Sequence, residues 1–169
     1  MMPGPDPELS NFEQLLRDNH RTVYQVAYAV LVNAADAEEV TQDAFLRAYQ
    51  KFSSLRDPHK FRAWVARMSW RLALNRRRTD LRAMQRDTMW FGGQPAPADP
   101  EVEAATGELK LQIQKSITRL PEKLRSVLLL CAIKELDART VGEILKIPEA
   151  TVRTRLYLAR RQLLKALMP

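Results

Sequence analysis

The sequence predicts an all-α chain of two small helical domains joined by a flexible linker, the second domain carrying a helix-turn-helix. Three observations predict it. Apolar residues recur with helical period through most of the chain, and little alternates as a strand would. The segment FGGQPAPADP, residues 91–100, has two adjacent glycines and three prolines, a composition that neither packs as helix nor pairs as strand. Near the C-terminus two short helical patterns meet at Ile147-Pro148. A chain of 169 residues has room for one medium domain or two small ones. The boundaries read as 9–90 for the first domain, 91–107 for the linker and 108–168 for the second.

Each element has its own signature. Residues 1–8, MMPGPDPE, read as a frayed tail, and LSNFEQLLRDNHRTVYQVAYAVLV as the first helix. Asp36 can cap a second helix, with Glu39 in the capping-box position. Val40, Ala44, Phe45, Ala48 and Tyr49 form its inner face. SSLRDPHK then reads as a turn, because Asp57-Pro58 disfavours helix at the residue before proline. A long helix runs from about Lys60 to Asp80, with Phe61, Trp64, Val65, Met68 and Leu72 as its core stripe. By this geometry Trp64 is core and Trp70 the more exposed. Glu101–Arg119 resumes the helical period, Leu120-Pro121 starts another helix, and its apolar run ends near Leu136. Thr140 to Lys146 and the segment after Pro148 complete the set. In the last helix Val152, Leu156, Ala159 and Leu163 share a stripe, Arg153, Tyr157, Arg160 and Arg161 lie roughly opposite, and Arg155 flanks the stripe.

Charge narrows the function. The formal charge is +7 and the pI near 9.9, which favours an anionic partner. From Lys60 to Arg86 nine basic residues face one acid, Asp80; from Thr151 to Lys165 there are five basic residues and no acid. Two separate cationic elements suggest one extended polyanion held at two places. Against this stands an acidic cluster, Asp36, Glu38, Glu39 and Asp43. The single cysteine, Cys131 in SVLLLCAI, cannot form an internal disulfide and reads as a buried thiol in a reducing compartment. There is no secretory signal pattern, and no apolar run approaches the roughly 18 residues of a membrane span. A cytoplasmic protein without membrane insertion is expected. The sequence has no HExxH, paired cysteine, phosphate-binding glycine loop or GxSxG, and neither His20 nor His59 has a second ligand at metal spacing. No catalytic residue, cofactor or metal is assigned. Binding is the function to be explained.

A helix-turn-helix lays the N-terminal end of its second helix against base edges in the major groove. That geometry favours Ala150, Arg153, Thr154 and Tyr157 as base readers, Arg153 foremost because its fork can donate twice to guanine. Arg155 and Arg160 are placed toward phosphate, as is Arg139 beside the amides that open the Thr140 helix. In the first domain Arg67, Arg71, Asn75 and Arg78 share a helix face, a cationic ridge able to track a single strand.

At these residues the chain resembles a known family. DAEEVTQDAFLRAYQKFSSLRDPHKFRAWVARMSWRLALNRRR looks like domain 2 of the extracytoplasmic-function (ECF) sigma factors of bacteria, and LPEKLRSVLLLCAIKELDARTVGEILKIPEATVRTRLYLARRQLL like their domain 4. The resemblance implies that Asp36, Glu39, Gln42, Asp43 and Arg47 dock on the core RNA polymerase of a bacterium. It implies that the loop Ser53 to Lys60, with Arg56, His59 and Lys60, meets the −10 promoter element together with the following helix. Arg153 and its neighbours would read the −35 element as duplex. Regulation by an anti-sigma factor is implied by family habit and by no residue here. Arg71 stands where the family usually has asparagine and Asn75 often where it has aspartate, so positive character is kept. Gly142 stands where alanine is common, and helix propensity alone predicts a loss of roughly 1 kcal/mol there relative to alanine. The end at Pro169 leads us to expect no further C-terminal domain.

Three functions compete on this reading: a promoter-specificity subunit, a duplex-only helix-turn-helix regulator, and a protein-interaction module. Only the first uses the acidic patch, the arginine ridge and the helix pair together.

Overall fold

The structure is a computed structural model that describes residues 7–91 and 104–168. The linker expected at 91–107 and the tail at 1–8 therefore lie mostly outside the described residues, though Pro7 and Glu8 already belong to the first helix. Among the described residues seven α-helices follow in order: α1 Pro7–Leu31, α2 Ala34–Gln50, α3 Phe61–Phe91, α4 Ala104–Arg119, α5 Glu122–Cys131, α6 Ala138–Leu145 and α7 Glu149–Leu167. Two short 3₁₀ turns, Phe52–Ser54 and Pro58–Lys60, join α2 to α3.

Side-chain caps start α2 and α6. The cap of α2 is Asn33, whose side chain accepts from the amide of Asp36 at 2.9 Å, and not Asp36 itself. Asp36 sits within the first turn instead, where its charge suits the helix dipole. Asp137 caps α6 by accepting from the amide of Thr140 at 2.8 Å. Pro148 is the cap of α7, its extended backbone turning the chain into the helix rather than joining its first turn. Helix α3 continues to Phe91, well past the expected end at Asp80. Nothing in RRRTDLRAMQR lacks a backbone donor, and Arg76 pairs with Asp80 one turn on at 3.7 Å.

The first region packs α1, α2 and α3 around Phe12, Val23, Ala44, Phe45, Ala48, Phe61 and Val65. Phe12 meets Tyr49, Phe52 and Phe61 edge-on, with ring centroids 5.2, 5.2 and 5.9 Å apart. Tyr49 does not reach the inner face; it is 53% exposed and touches Phe12 by its edge. In the second region α7 crosses α5 through Leu120, Leu124 and Ala159.

The two regions are not separate bodies. One continuous core joins Val26, Val30, Val40, Ala66, Trp70 and Ala73 of the first region to Val127, Leu130, Ile133, Leu136, Val141, Ile144 and Val152 of the second. Helix α3 therefore buries two faces. Its Phe61/Val65 face meets α1 and α2, while small Ala63, Ala66 and Ala73 are buried on a helix that α6 also packs against. This reverses the expectation for the tryptophans: Trp70 is 6% exposed, and Trp64 is only partly buried. A stripe drawn for one region alone could not see the second.

Gly142 shows why propensity misleads at one point. It is buried in α6, and a Cβ there would lie 2.7 Å from the carbonyl oxygen of Ile147 in the tight turn to α7. That carbonyl is backbone and cannot swing aside. The same turn is closed by the amide of Ile147 donating to the Gly142 carbonyl at 3.0 Å. Gly142→Ala is therefore expected to destabilise the protein by about 1–3 kcal/mol through overpacking, opposite in sign to its propensity gain. Thermal unfolding of the variant followed by circular dichroism checks this, and a melting temperature at or above that of the parent contradicts it.

Candidate nucleic-acid and polymerase interfaces

The helix-turn-helix is α6, the turn Lys146-Ile147-Pro148, and α7. Val152 and Ala159 are buried and Leu156 and Leu163 partly so, which fixes the inner stripe of α7. Ala150, Arg153, Thr154 and Tyr157 all emerge exposed from the first half of the helix. Arg153 is tied to Glu149 one turn back, its Nε donating to Oε1 at 3.2 Å. The pair steadies the fork near the helix start. Thr154 returns its hydroxyl to the Ala150 carbonyl at 3.0 Å, leaving its methyl and oxygen lone pairs outward. Arg160 is exposed two turns on, and Arg155 is partly buried at the edge of the stripe.

One phosphate contact expected at α6 is already occupied. The Thr140 amide donates to Asp137, and Thr140 holds the Asp137 carboxyl below the usual aspartate range through its hydroxyl and its amide. A phosphate would meet that carboxylate there. Arg139 remains exposed, 3.8 Å from Glu143.

The ridge of α3 divides. Arg67, Arg71 and Asn75 line one cleft of about 500 Å³ with Trp64, Met68 and Leu72. Arg78 instead lines a neighbouring hollow with Arg77, Leu81, Glu122 and Arg125. Arg56, His59 and Lys60 are exposed on the turns before α3, and Asp57 caps the second turn by accepting from the His59 amide at 3.0 Å. Cys131 is half-buried; desolvation pushes its thiol up, only partly offset by Arg160, so it stays protonated and unreactive.

On α2 the acidic residues separate into two groups. Arg76 reaches across from α3 to Asp36 at 3.0 Å and to Glu39 at 3.2 Å. Hydrogen bonding to Glu39, then the charges of Glu39 and Asp36, raise its pKa further. Gln42, Asp43 and Arg47 are exposed and free of that clasp. Beside them stand two exposed apolar side chains, Leu46 at 57%, which the sequence reading does not single out, and Tyr49 at 53%, which it assigns to the inner face. Their spacing from Gln42, four and seven residues, could have exposed them as a second, outward stripe.

Comparison with known proteins follows the same division. Residues 15–83 match the Sigma-70 region 2 family and residues 110–163 the Sigma-70 region 4 family. The chain is 34% identical over 154 residues to the ECF RNA polymerase sigma factor SigW of Bacillus subtilis, covering 86% of this chain and 82% of that protein. It is 31% identical to the RNA polymerase sigma-H factor of Pseudomonas aeruginosa, covering 81% and 76%. The chain belongs to the ECF sigma factors. Its fold matches that of CnrH in complex with the cytosolic domain of CnrY, with TM-score 0.63, 22% identity and coverage of 92% of this chain and 86% of that one. The sigma factor RpoE of Bartonella quintana, in complex with the anti-sigma factor NepR, matches with TM-score 0.62, 20% identity and coverage of 92% and 96%.

As an ECF sigma factor the protein directs RNA polymerase to promoters and is not itself an enzyme. No group of three or more histidine, cysteine or acidic side chains that could hold a metal occurs among the described residues. None of the described helices is long and apolar enough to cross a membrane.

One residue of this sigma factor has a structural task the sequence did not reveal. Arg67 Nη1 donates to the Ile144 carbonyl of α6 at 2.7 Å. That carbonyl lies in the last turn of α6, where acceptors lack helical partners and a cation suits the dipole. Burial, then the neighbouring charge of Arg71, lowers the Arg67 pKa. A charge-assisted bond of this kind contributes about 1.5 kcal/mol. Arg67→Ala should therefore raise amide hydrogen exchange in α6 by about tenfold while α2 keeps its protection. Equal rates in α6 for variant and parent would show that the bond holds nothing.

Proposed function

We propose that the promoter-directing activity is divided among three surfaces of this chain. The observation that carries the division is the exposure of a base-reading set on α7 together with an exposed polar and apolar face on α2, about α3 as common support. Residues 9–90 form the unit for polymerase docking and the −10 element, residues 108–168 the unit for the −35 element, with the linker between. Gln42, Asp43 and Arg47 dock core polymerase with Leu46 as an apolar anchor. Asp36 and Glu39 contribute less directly, because Arg76 already balances them. Arg56, His59, Lys60, Arg67, Arg71, Asn75 and Arg78 meet the −10 element and help open it. Ala150, Arg153, Thr154 and Tyr157 read the −35 element, and Arg139, Arg155 and Arg160 meet its phosphates. The protein works in the cytoplasm, where its polymerase is, and an anti-sigma factor of the kind bound to RpoE is its regulator. A regulator that binds duplex only would leave the α2 face without a use.

Docking is tested by replacing one residue at a time. Asp43→Lys and Leu46→Glu should each weaken binding to core polymerase by about tenfold or more, since one reverses a charge and the other buries one. Glu39→Lys should act partly through Arg76 and lower thermal stability as well. Titration of labelled core polymerase measures the affinities, and wild-type affinity in Asp43→Lys and Leu46→Glu would remove the docking assignment.

For the −35 element, Arg153→Ala should cost about 1–3 kcal/mol and relax preference at one base position. Arg160→Ala should weaken all sequences alike and lower the salt slope by about one. Holoenzyme binding to single-base promoter variants at several salt concentrations separates the two. Identical behaviour of both variants would transfer base reading to Thr154, Tyr157 or Ala150.

A further inference from the structure

The cleft on α3 is completed by a residue from the other region. Besides Trp64, Arg67, Met68, Arg71, Leu72 and Asn75 it is lined by Arg47 and Lys51 at the end of α2 and by Lys146 at the end of α6. Five cations thus surround about 500 Å³, and no carboxylate lines it. None of the ion pairs among the described residues engages Arg47, Lys51, Arg71 or Lys146. Lys146 adds a second, independent observation. It ends α6 in the left-handed conformation, φ 54°, where glycine is at ease and a side chain costs about 1 kcal/mol. The fold holds a lysine in a conformation that disfavours it, beside the cleft.

We propose that this cleft binds a phosphate chain, that of a nucleoside triphosphate or of inorganic polyphosphate, and that the bound chain holds the two regions together. The size selects the class. A volume of this order suits a small ligand, whereas an acidic helix about 10 Å across would not enter. Arginines can grip phosphate oxygens two at a time and lysines supply point charge, so several negative charges packed closely are the matching ligand. The Arg71 charge that bears on Arg67 would be answered by the same anion. Four of the cations belong to the first region and one to the second, so the complete site exists only when α6 is docked on α3. By linkage, a ligand that binds only this arrangement stabilises it. Competition with promoter DNA follows if Arg67 and Arg71 also hold the −10 strand. That consequence rests on the proposed function; the binding itself does not.

The test is calorimetric titration of the full chain with sodium tripolyphosphate and, separately, with ATP, at fixed ionic strength. One ligand per chain is expected. Lys146→Gly is the informative variant, because it removes the cation and relieves the backbone together. It should melt no lower than the parent yet bind tripolyphosphate about tenfold more weakly, as loss of a charged contact implies. Lys165→Ala, at the far end of α7, should bind as the parent does. ATP binding well above tripolyphosphate would identify a nucleotide with its base against Trp64; equal binding would identify the phosphate chain alone. Parent-like affinity in Lys146→Gly, or several ligands per chain weakened equally by both variants, overturns the site. Saturable binding that leaves single-stranded −10 DNA affinity unchanged would instead remove the strand assignment of Arg67 and Arg71 and keep the site.

Discussion

The arrangement of the whole chain depends on α6 lying against α3. That contact is made by a helix of only eight residues, too short to be stable in isolation. Burial supplies the stability: Val141 and Ile144 enter the core shared with Trp70 and Ala73, and each fully buried side chain of this kind contributes about 1.5–3 kcal/mol. Gly142 lets the following turn fold back closely, and Arg67 satisfies a carbonyl at the end that would otherwise lack a partner. Because only three residues separate α6 from α7, the docking of α6 also fixes where the start of α7 points.

The excess of positive charge is accordingly spent in different ways. Arg76 is structural, drawing Asp36, Glu39 and Asp80 to one guanidinium and joining α2 to α3. These pairs are partly exposed, so they orient the helices more than they stabilise them. Arg67 is a cap for a neighbouring helix. Arg153 is paired within its own helix, with Glu149 one turn back. Arg47, Lys51, Arg71 and Lys146 have no ion-pair partner among the described residues and concentrate their charge around one concavity. Counting arginines along the sequence treats all of these alike.

What was legible in the sequence was whatever repeats within a single helix. The inner stripe of α7, the exposed position of Ala150, Arg153, Thr154 and Tyr157, the Phe61/Val65 face and the turn at Asp57-Pro58 all follow from local spacing. What was not legible came from contact between distant segments. Local period makes Trp70 the more exposed tryptophan because residues of its buried cluster such as Val30 and Leu130 lie 40 and 60 residues away, on helices whose docking no local period announces. Tyr49 was placed inside because its spacing from Phe45 is helical, yet Phe12 holds only its edge. Asp36 with Glu39 three residues on has the form of a capping box, but Asn33 offers a capping oxygen one turn earlier. The charge pairs of Arg76 and the cap from Arg67 needed two helices in place at once.

The same contact sets a limit on simultaneous use of the surfaces. If the Arg67 donor that holds the Ile144 carbonyl is given to another acceptor, α6 loses its cap. A partner that draws that donor away still meets the shared core, which opposes any further parting of the regions. The opposition is substantial, because separating them exposes the apolar side chains of both α3 and α6 to water. Polymerase and promoter can supply it only through contacts absent from the docked form, for a ligand shifts an equilibrium by no more than its differential affinity for the two states. Asp43 and Leu46 on α2 and Arg153 on α7 are exposed in the docked form, so a partner can reach them without parting the regions.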